Sequence, residues 1–395
     1  MKEIQTIIGN TKAGIALVGL MLITLVSSCS KSDGFDEQYG AEAGAPIAGV
    51  STYATHFEEN ITNTRADGEL TRAWTPPTGF SAYDDGDQPI AIAFTQDKEA
   101  PMMGHFFKSS GKWRTSVEGI VETDYYLYGY IPNLPAITYT VTDKEGNNAK
   151  YSEGAKVKLE NVPTVMPQDL CVVIGAREGA NADTDAGIRK GDFKYHAQAI
   201  TTDGENKVDG GNYVFLLFDH LYAALRIKMR VYSEYNAIRT IKLKSLQLNT
   251  QAGETTTKQK NDITITLNNS DGGNDTPIEN IDYEQTGADI DGGIEFWSSQ
   301  SGVQLNTDYQ EFVGHFMPQH VTTLILTSIY DVYDTQGNLI RENCKATNTM
   351  ELKDLLTGQE ETLRGKRYTV NMTIRPTYLY MLSEPDLNDP TVTVN

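Results

Sequence analysis

Along this chain, apolar positions recur at strand spacing. In Ala224–Val231, Leu225, Ile227, Met229 and Val231 alternate with Arg226, Lys228 and Arg230, and a period of two with one charged face belongs to a half-buried β-strand. The same alternation recurs in Ile241–Leu248 and Ile263–Leu267. Short runs rich in β-branched and aromatic residues add Ile90–Phe94, Tyr125–Ile131, Ala155–Leu159, Leu170–Ile174 and Tyr213–Phe218, with Pro101, Gly111, Pro132, Pro135, Gly146, Pro163 and Pro167 as turn formers between them. Further strands are expected at Val321–Tyr333, around the Asp334-Thr335-Gln336-Gly337-Asn338 turn, and at Arg367–Ile374. Helical periodicity is nearly absent, and Met350–Leu356 predicts one short helix stopped by Gly358. Many short strands separated by turns predict an all-β fold of antiparallel β-sandwiches.

The 395 residues exceed what one domain normally uses, so two sandwiches are expected, at 73–210 and 211–382, with the break near Gly210-Gly211. A tail over 383–395 follows. Its Pro385 and Pro390 interrupt any strand, while Thr391, Val392, Thr393 and Val394 alternate as a short pairing strand would.

The amino-terminal stretch has a different grammar. Lys2 and Lys12 precede the apolar run Ala13–Val26, which ends in Val26-Ser27-Ser28-Cys29. That is the build of a secretory signal peptide, and the run is shorter than the ~20 residues a membrane-spanning helix needs. A cysteine directly after small residues resembles a bacterial lipobox, in which Cys29 takes a lipid thioether and becomes the mature terminus; residues 1–28 are then the signal peptide. From Ser30 to Tyr53 the chain is small, polar and acidic, and it reads as a tether. Two Thr-Arg-Ala triplets follow, placing Arg65 and Arg72 ahead of Pro76, Pro77 and Gly79. An Arg-Ala bond in mobile chain is a target for a trypsin-like protease; the alternative is two solvated arginines.

Charge and candidate chemistry narrow the function. A formal net charge of −20 opposes binding to nucleic acid. Cys171 lies in an apolar run and reads as a small buried hydrophobe, with a disulfide to Cys344 left open. Asn181–Gly187 is rich in aspartate, but its glycine is misplaced for a calcium loop. His315 and His320 flank a proline at a spacing that suits no shared metal. Asp219-His220 invites a catalytic-triad reading, yet no serine or cysteine sits in a G-x-S-x-G elbow. Tyr125, Tyr126, Tyr128 and Tyr130 suit strand packing before sugar stacking. The expectation is a non-enzymatic protein without cofactor or metal.

Several stretches together carry a resemblance: the lipobox at Cys29, Thr71-Arg72-Ala73-Trp74-Thr75-Pro76-Pro77, Tyr126–Pro132, Phe215–Leu225 and Pro376-Thr377-Tyr378-Leu379-Tyr380. In their order the chain resembles the fimbrillins, the pilin lipoproteins of Bacteroidales type V pili. The resemblance implies two tandem transthyretin-like domains, anchoring at the outer membrane through lipid, and an arginine-specific protease that removes the segment before Arg72 or Arg65. Other pilin subunits would then join by donor-strand exchange. On this reading Ile61–Leu70 is a strand filling the assembly groove before cleavage. The donor lies in Tyr368–Leu382, including Thr377, Tyr378, Leu379 and Tyr380, with Thr391–Val394 as an extension. A monomeric surface lipoprotein that binds glycans is the alternative.

Overall fold

A computed structural model of the chain describes residues 45–46, 49–54, 58–60, 81–82, 88–179, 188–198, 213–252, 255–256, 258–269, 281–291, 294–318, 321–352, 362–374 and 391–393. In chain order the strands begin with β1 (Ala45–Pro46), β2 (Gly49–Ala54), β3 (Glu58–Asn60), β4 (Ser81–Ala82), β5 (Ile90–Thr95), β6 (Met102–Ser109), β7 (Lys112–Thr115) and β8 (Thr123–Ile131). Next come β9 (Thr138–Asp143), β10 (Gly154–Glu160), β11 (Val165–Met166), β12 (Cys171–Gly179), β13 (Lys194–Ala197), β14 (Tyr213–His220), β15 (Ala223–Val231) and β16 (Thr240–Ala252). The last are β17 (Thr255–Thr256), β18 (Lys258–Asn268), β19 (Asp282–Asp291), β20 (Ile294–Gln304), β21 (Gln310–Phe316), β22 (Thr323–Tyr333), β23 (Leu339–Glu351), β24 (Lys366–Ile374) and β25 (Thr391–Thr393). The fold is all-β. Single turns of helix occur at Tyr151–Glu153 and Ser233–Asn236.

Four sheets enclose two cores. A ten-stranded sheet ordered β1-β7-β6-β5-β8-β12-β14-β2-β4, with β13 also on β8, covers a four-stranded sheet ordered β19-β18-β10-β9. Their shared core holds Phe94, Tyr128, Val157, Phe215 and Ile265. A six-stranded sheet, β11-β21-β15-β24-β25 with β3 also on β24, faces a five-stranded sheet of β17-β16-β22-β23 with β20 on β16. Between these two lie Leu225, Leu246, Phe296, Leu326 and Val370. The alternation in β15 is realised as read: Leu225, Ile227, Met229 and Val231 are buried, whereas Arg226, Lys228 and Arg230 stay part-exposed.

Two connections between paired strands use the same five-residue turn. Asp143-Lys144-Glu145-Gly146-Asn147 opens the connection from β9 to β10, which continues through the helical turn Tyr151–Glu153, and Asp334-Thr335-Gln336-Gly337-Asn338 links β22 to β23. In each, the aspartate Oδ1 accepts from the N–H groups two and four residues on, and the glycine takes a positive φ of 83° or 84° that other residues resist.

The structure departs from expectation in four places. The cores do not divide at Gly210-Gly211: β14 pairs with β12 over Cys171–Gly179, and the β18–β19 hairpin returns to β10 in the first sheet pair. Pairing is not wholly antiparallel, because β2 runs parallel to β14, and β15 and β3 both run parallel to β24. Parallel partners are remote in sequence, so no local turn signal announces them. Gly49–Tyr53, expected at the end of the tether, belongs to β2. The helix expected over Met350–Leu356 starts later: Met350 and Glu351 still belong to β23, with Met350 opposite Leu324 and buried in the second core, and Leu352 is helical; residues 353–358 lie outside the described residues.

Candidate functional site

The unusual feature of this fold is how its long-range edges are closed. On one side β24 pairs with β15 over eight positions, from Ala224↔Arg367 to Val231↔Ile374. Its buried Tyr368, Val370, Met372 and Ile374 fix that face in the second core, each side chain contributing roughly 1.5–3 kcal/mol. The other side of β24 is divided between the two ends of the chain. Lys366, Arg367 and Tyr368 stand in parallel register with Glu58, Glu59 and Asn60 of β3. Asn371, Met372 and Thr373 pair antiparallel with Thr393, Val392 and Thr391 of β25. Without these short strands the edge would present unpaired N–H and C=O groups, a template for any extended chain.

The first sheet pair has a related closure. There β2 lies parallel to β14 over six positions, from Gly49↔Tyr213 to Phe218↔Ala54. Val50 and Ala54 are buried in the first core. A Cβ on Gly49 would come within 2.2 Å of the Tyr213 ring, so the aromatic face lies where only glycine fits. Ser51 Oγ and the Tyr213 hydroxyl are 3.0 Å apart. The strands β2 and β3 both precede Arg65 and Arg72 in the chain.

Beside β24, Met372 and Ile374 with Met229, Ile241, Ser328 and Tyr330 line a void of about 10 Å³ between the sheets of the second pair. The Ser328 hydroxyl is buried without a hydrogen-bond partner. The void is far below the ~300 Å³ of an ordinary small-molecule site. It marks looser packing next to the split edge.

Of the residues singled out in the sequence, Thr391, Val392 and Thr393 form β25 on β24. Cys29, Arg65, Arg72, the span 61–70, Thr377, Tyr378, Leu379, Tyr380 and Val394 lie outside the described residues, as do His320 and the aspartate-rich 181–187. The Tyr368–Ile374 part of the expected donor is an interior strand of its own sheet. The tyrosines of β8 pack: Tyr125 meets Phe94 edge-on at 5.4 Å and Tyr130 meets Tyr139 at 5.2 Å. The Tyr128 hydroxyl donates to Tyr151 O at 2.9 Å, and burial pushes its pKa well above the ordinary value. Cys171 and Cys344 form no disulfide.

The Asp219-His220 pair does not form a triad. Arg364 Nη1 donates to Asp219 Oδ2 at 2.7 Å and to the His220 carbonyl at 3.1 Å. His220 turns instead toward Asp169 and Cys171, with Nδ1 at 2.5 Å from Asp169 Oδ2 and 3.5 Å from Cys171 Sγ. His315 Nδ1 donates to the Pro167 carbonyl at 3.0 Å, and burial lowers this imidazole's pKa. Among the described residues, no helix is long and apolar enough to cross a membrane.

No protein-family model and no curated protein matches the chain. Solved structures of similar shape include a fimbrial protein from Bacteroides vulgatus, with 15% identity over 78% of this chain and 91% of that one and a TM-score of 0.31. Another is the fimbrial anchor protein Mfa2 from Porphyromonas gingivalis, with 8% identity over 87% and 95% and a TM-score of 0.30. At such values the likeness carries no functional weight.

Proposed function

We propose that this chain is a fimbrial subunit, exported as a lipoprotein and polymerised by donor-strand exchange between its two transthyretin-like domains and those of its neighbours. The observation that carries the reading is the edge of β24, shared end to end by β3 from the amino-terminal segment and β25 from the tail. An edge held by two three-residue strands is satisfied without being strongly bound, which suits a site whose occupant is exchanged.

In this reading residues 1–28 are the signal peptide, and Cys29 holds the subunit on the outer membrane through its lipid. An arginine-specific protease cuts after Arg72, or after Arg65. Because β1, β2 and β3 all lie before these residues, one cut withdraws strands from both sheet pairs, β1 and β2 from the first and β3 from the second. The tail of the next subunit, with Thr377–Tyr380 and Thr391–Val394, then occupies the vacated edge. Groove and donor are different surfaces, so the contact is head to tail, does not close and grows a filament.

Treating the full-length chain with an arginine-specific protease should give denaturant-resistant ladders. The Arg65→Ala/Arg72→Ala double variant should stay a folded monomer, and deleting residues 377–395 should stop growth while leaving a groove that accepts wild-type subunits. A single monomer band from cleaved wild-type chain would favour a monomeric glycan-binding lipoprotein. Ladders from the double variant would remove the proteolytic trigger.

A further inference from the structure

Where the chain leaves the first core for the second, three side chains of different chemistry converge. The β12–β14 ladder sets Cys171 directly opposite His220, and Asp169 lies two residues before Cys171. The N–H of Leu221 donates to the Leu170 carbonyl at 2.8 Å, holding the two segments together at this point. Cys171 Sγ lies 3.1 Å from Asp169 Oδ2 and 3.5 Å from His220 Nδ1, and the carboxylate–imidazole distance is 2.5 Å. One donor atom from each residue falls within 4.8 Å of the others. Cys171 is fully buried, and the side chains of His220 and Asp169 are 5% and 10% exposed.

Hydrogen bonding within the trio leaves one group unaccounted for. Asp169 Oδ2 accepts from the thiol and faces the imidazole, while Asp169 Oδ1 is buried with no hydrogen-bond partner. An orphaned carboxylate oxygen in a buried site is costly, and a cation bound through both carboxylate oxygens would satisfy it.

We propose that Asp169, Cys171 and His220 form a binding site for a zinc-type divalent ion. Thiolate, imidazole and carboxylate together are a zinc donor set. Bond lengths of ~2.3 Å to sulfur and ~2.0–2.1 Å to nitrogen and oxygen place tetrahedral ligands about 3.3–3.6 Å apart. The contacts of Sγ already lie near that range, and the carboxylate–imidazole contact opens by under about 1 Å. One thiolate and one carboxylate neutralise the ion, so no net charge is buried. The bound ion ties the start of β12 to the end of β14, immediately before the chain turns into β15.

Cobalt(II) titrated into the reduced full-length chain should give a thiolate-to-metal charge-transfer band in the near ultraviolet that saturates at one equivalent. Zinc should displace it and raise the thermal midpoint. The band should survive in a Cys29→Ser/Cys344→Ser variant. It should vanish in Cys171→Ser, and Asp169→Asn should weaken binding by at least about 100-fold, the upper end of what loss of a ligand's orienting partner costs. Absence of the band in the wild-type chain overturns the proposal whatever the variants do. So does a band that persists without Cys171.

Discussion

The two long-range edges of this protein are closed by ladders of different length. On β14, one six-residue strand lies in unbroken parallel register and sends Val50 and Ala54 into the core, with Gly49 under the Tyr213 ring. On β24, two three-residue strands from opposite ends of the chain share the edge. The first closure is therefore backed by packing as well as by a six-position ladder, whereas the second is built from two ladders of three positions each. A single cut after Arg72 would remove the whole of the first closure and only half of the second.

The largest test of this contrast is truncation. A chain starting at residue 73 should lose about 3 kcal/mol or more of stability, since it exposes the Val50 and Ala54 sites together with the edges of β7, β14 and β24. A chain lacking residues 391–395 should lose distinctly less, read as thermal midpoints of both. Equal losses would erase the distinction between the edges.

A smaller and more local change is Gly49→Val. The new side chain meets the Tyr213 ring and should cost roughly 1–3 kcal/mol, as overpacking does. Exchange protection of the β14 amides should fall while that of β24 stays unchanged. Loss of protection at both edges would mean that they open as one unit.

An acid titration sharpens the contrast from outside both edges. Burial works to raise the Asp143 carboxyl, but N–H donors from Asn147, Ala149, Lys150 and Glu145 outweigh it and hold the pKa below its ordinary 3.8. A depressed carboxylate stabilises the fold fully above about pH 4 and loses that contribution as pH falls through its folded value. Asp143→Asn should flatten this part of the acid transition equally in full-length and truncated chains. A difference between the two would place the N-terminal strands and this turn in one cooperative unit.

What could be read from the sequence follows from the range of the interaction that creates it. The alternation in β15 and β18 depends only on one buried face, so each strand declares itself. The apolar run of β14 was equally legible as a strand but not as a member of the first core, because its partners β12 and β2 are set by ladders far along the chain. Polar stretches such as Asp282-Tyr283-Glu284-Gln285 in β19 carry too little apolar pattern to announce a strand. The Asp169–Cys171–His220 cluster was illegible for a similar reason. Cys171 and His220 are 49 positions apart and meet only through the β12–β14 register, while Cys171 alone looks like any small core residue.

The parallel ladders also bear on when the molecule closes. Ser51 and Tyr213 are 162 positions apart, and Arg226 and Thr369 are 143 apart. A nascent chain emerges amino-terminus first, so β2 and β3 are made long before β14 and β24 exist to receive them. Contacts of such high order form late and slowly, and the waiting strands are an invitation to pair with a neighbour. A net charge of −20 supplies the mutual repulsion that keeps incomplete chains apart during that interval.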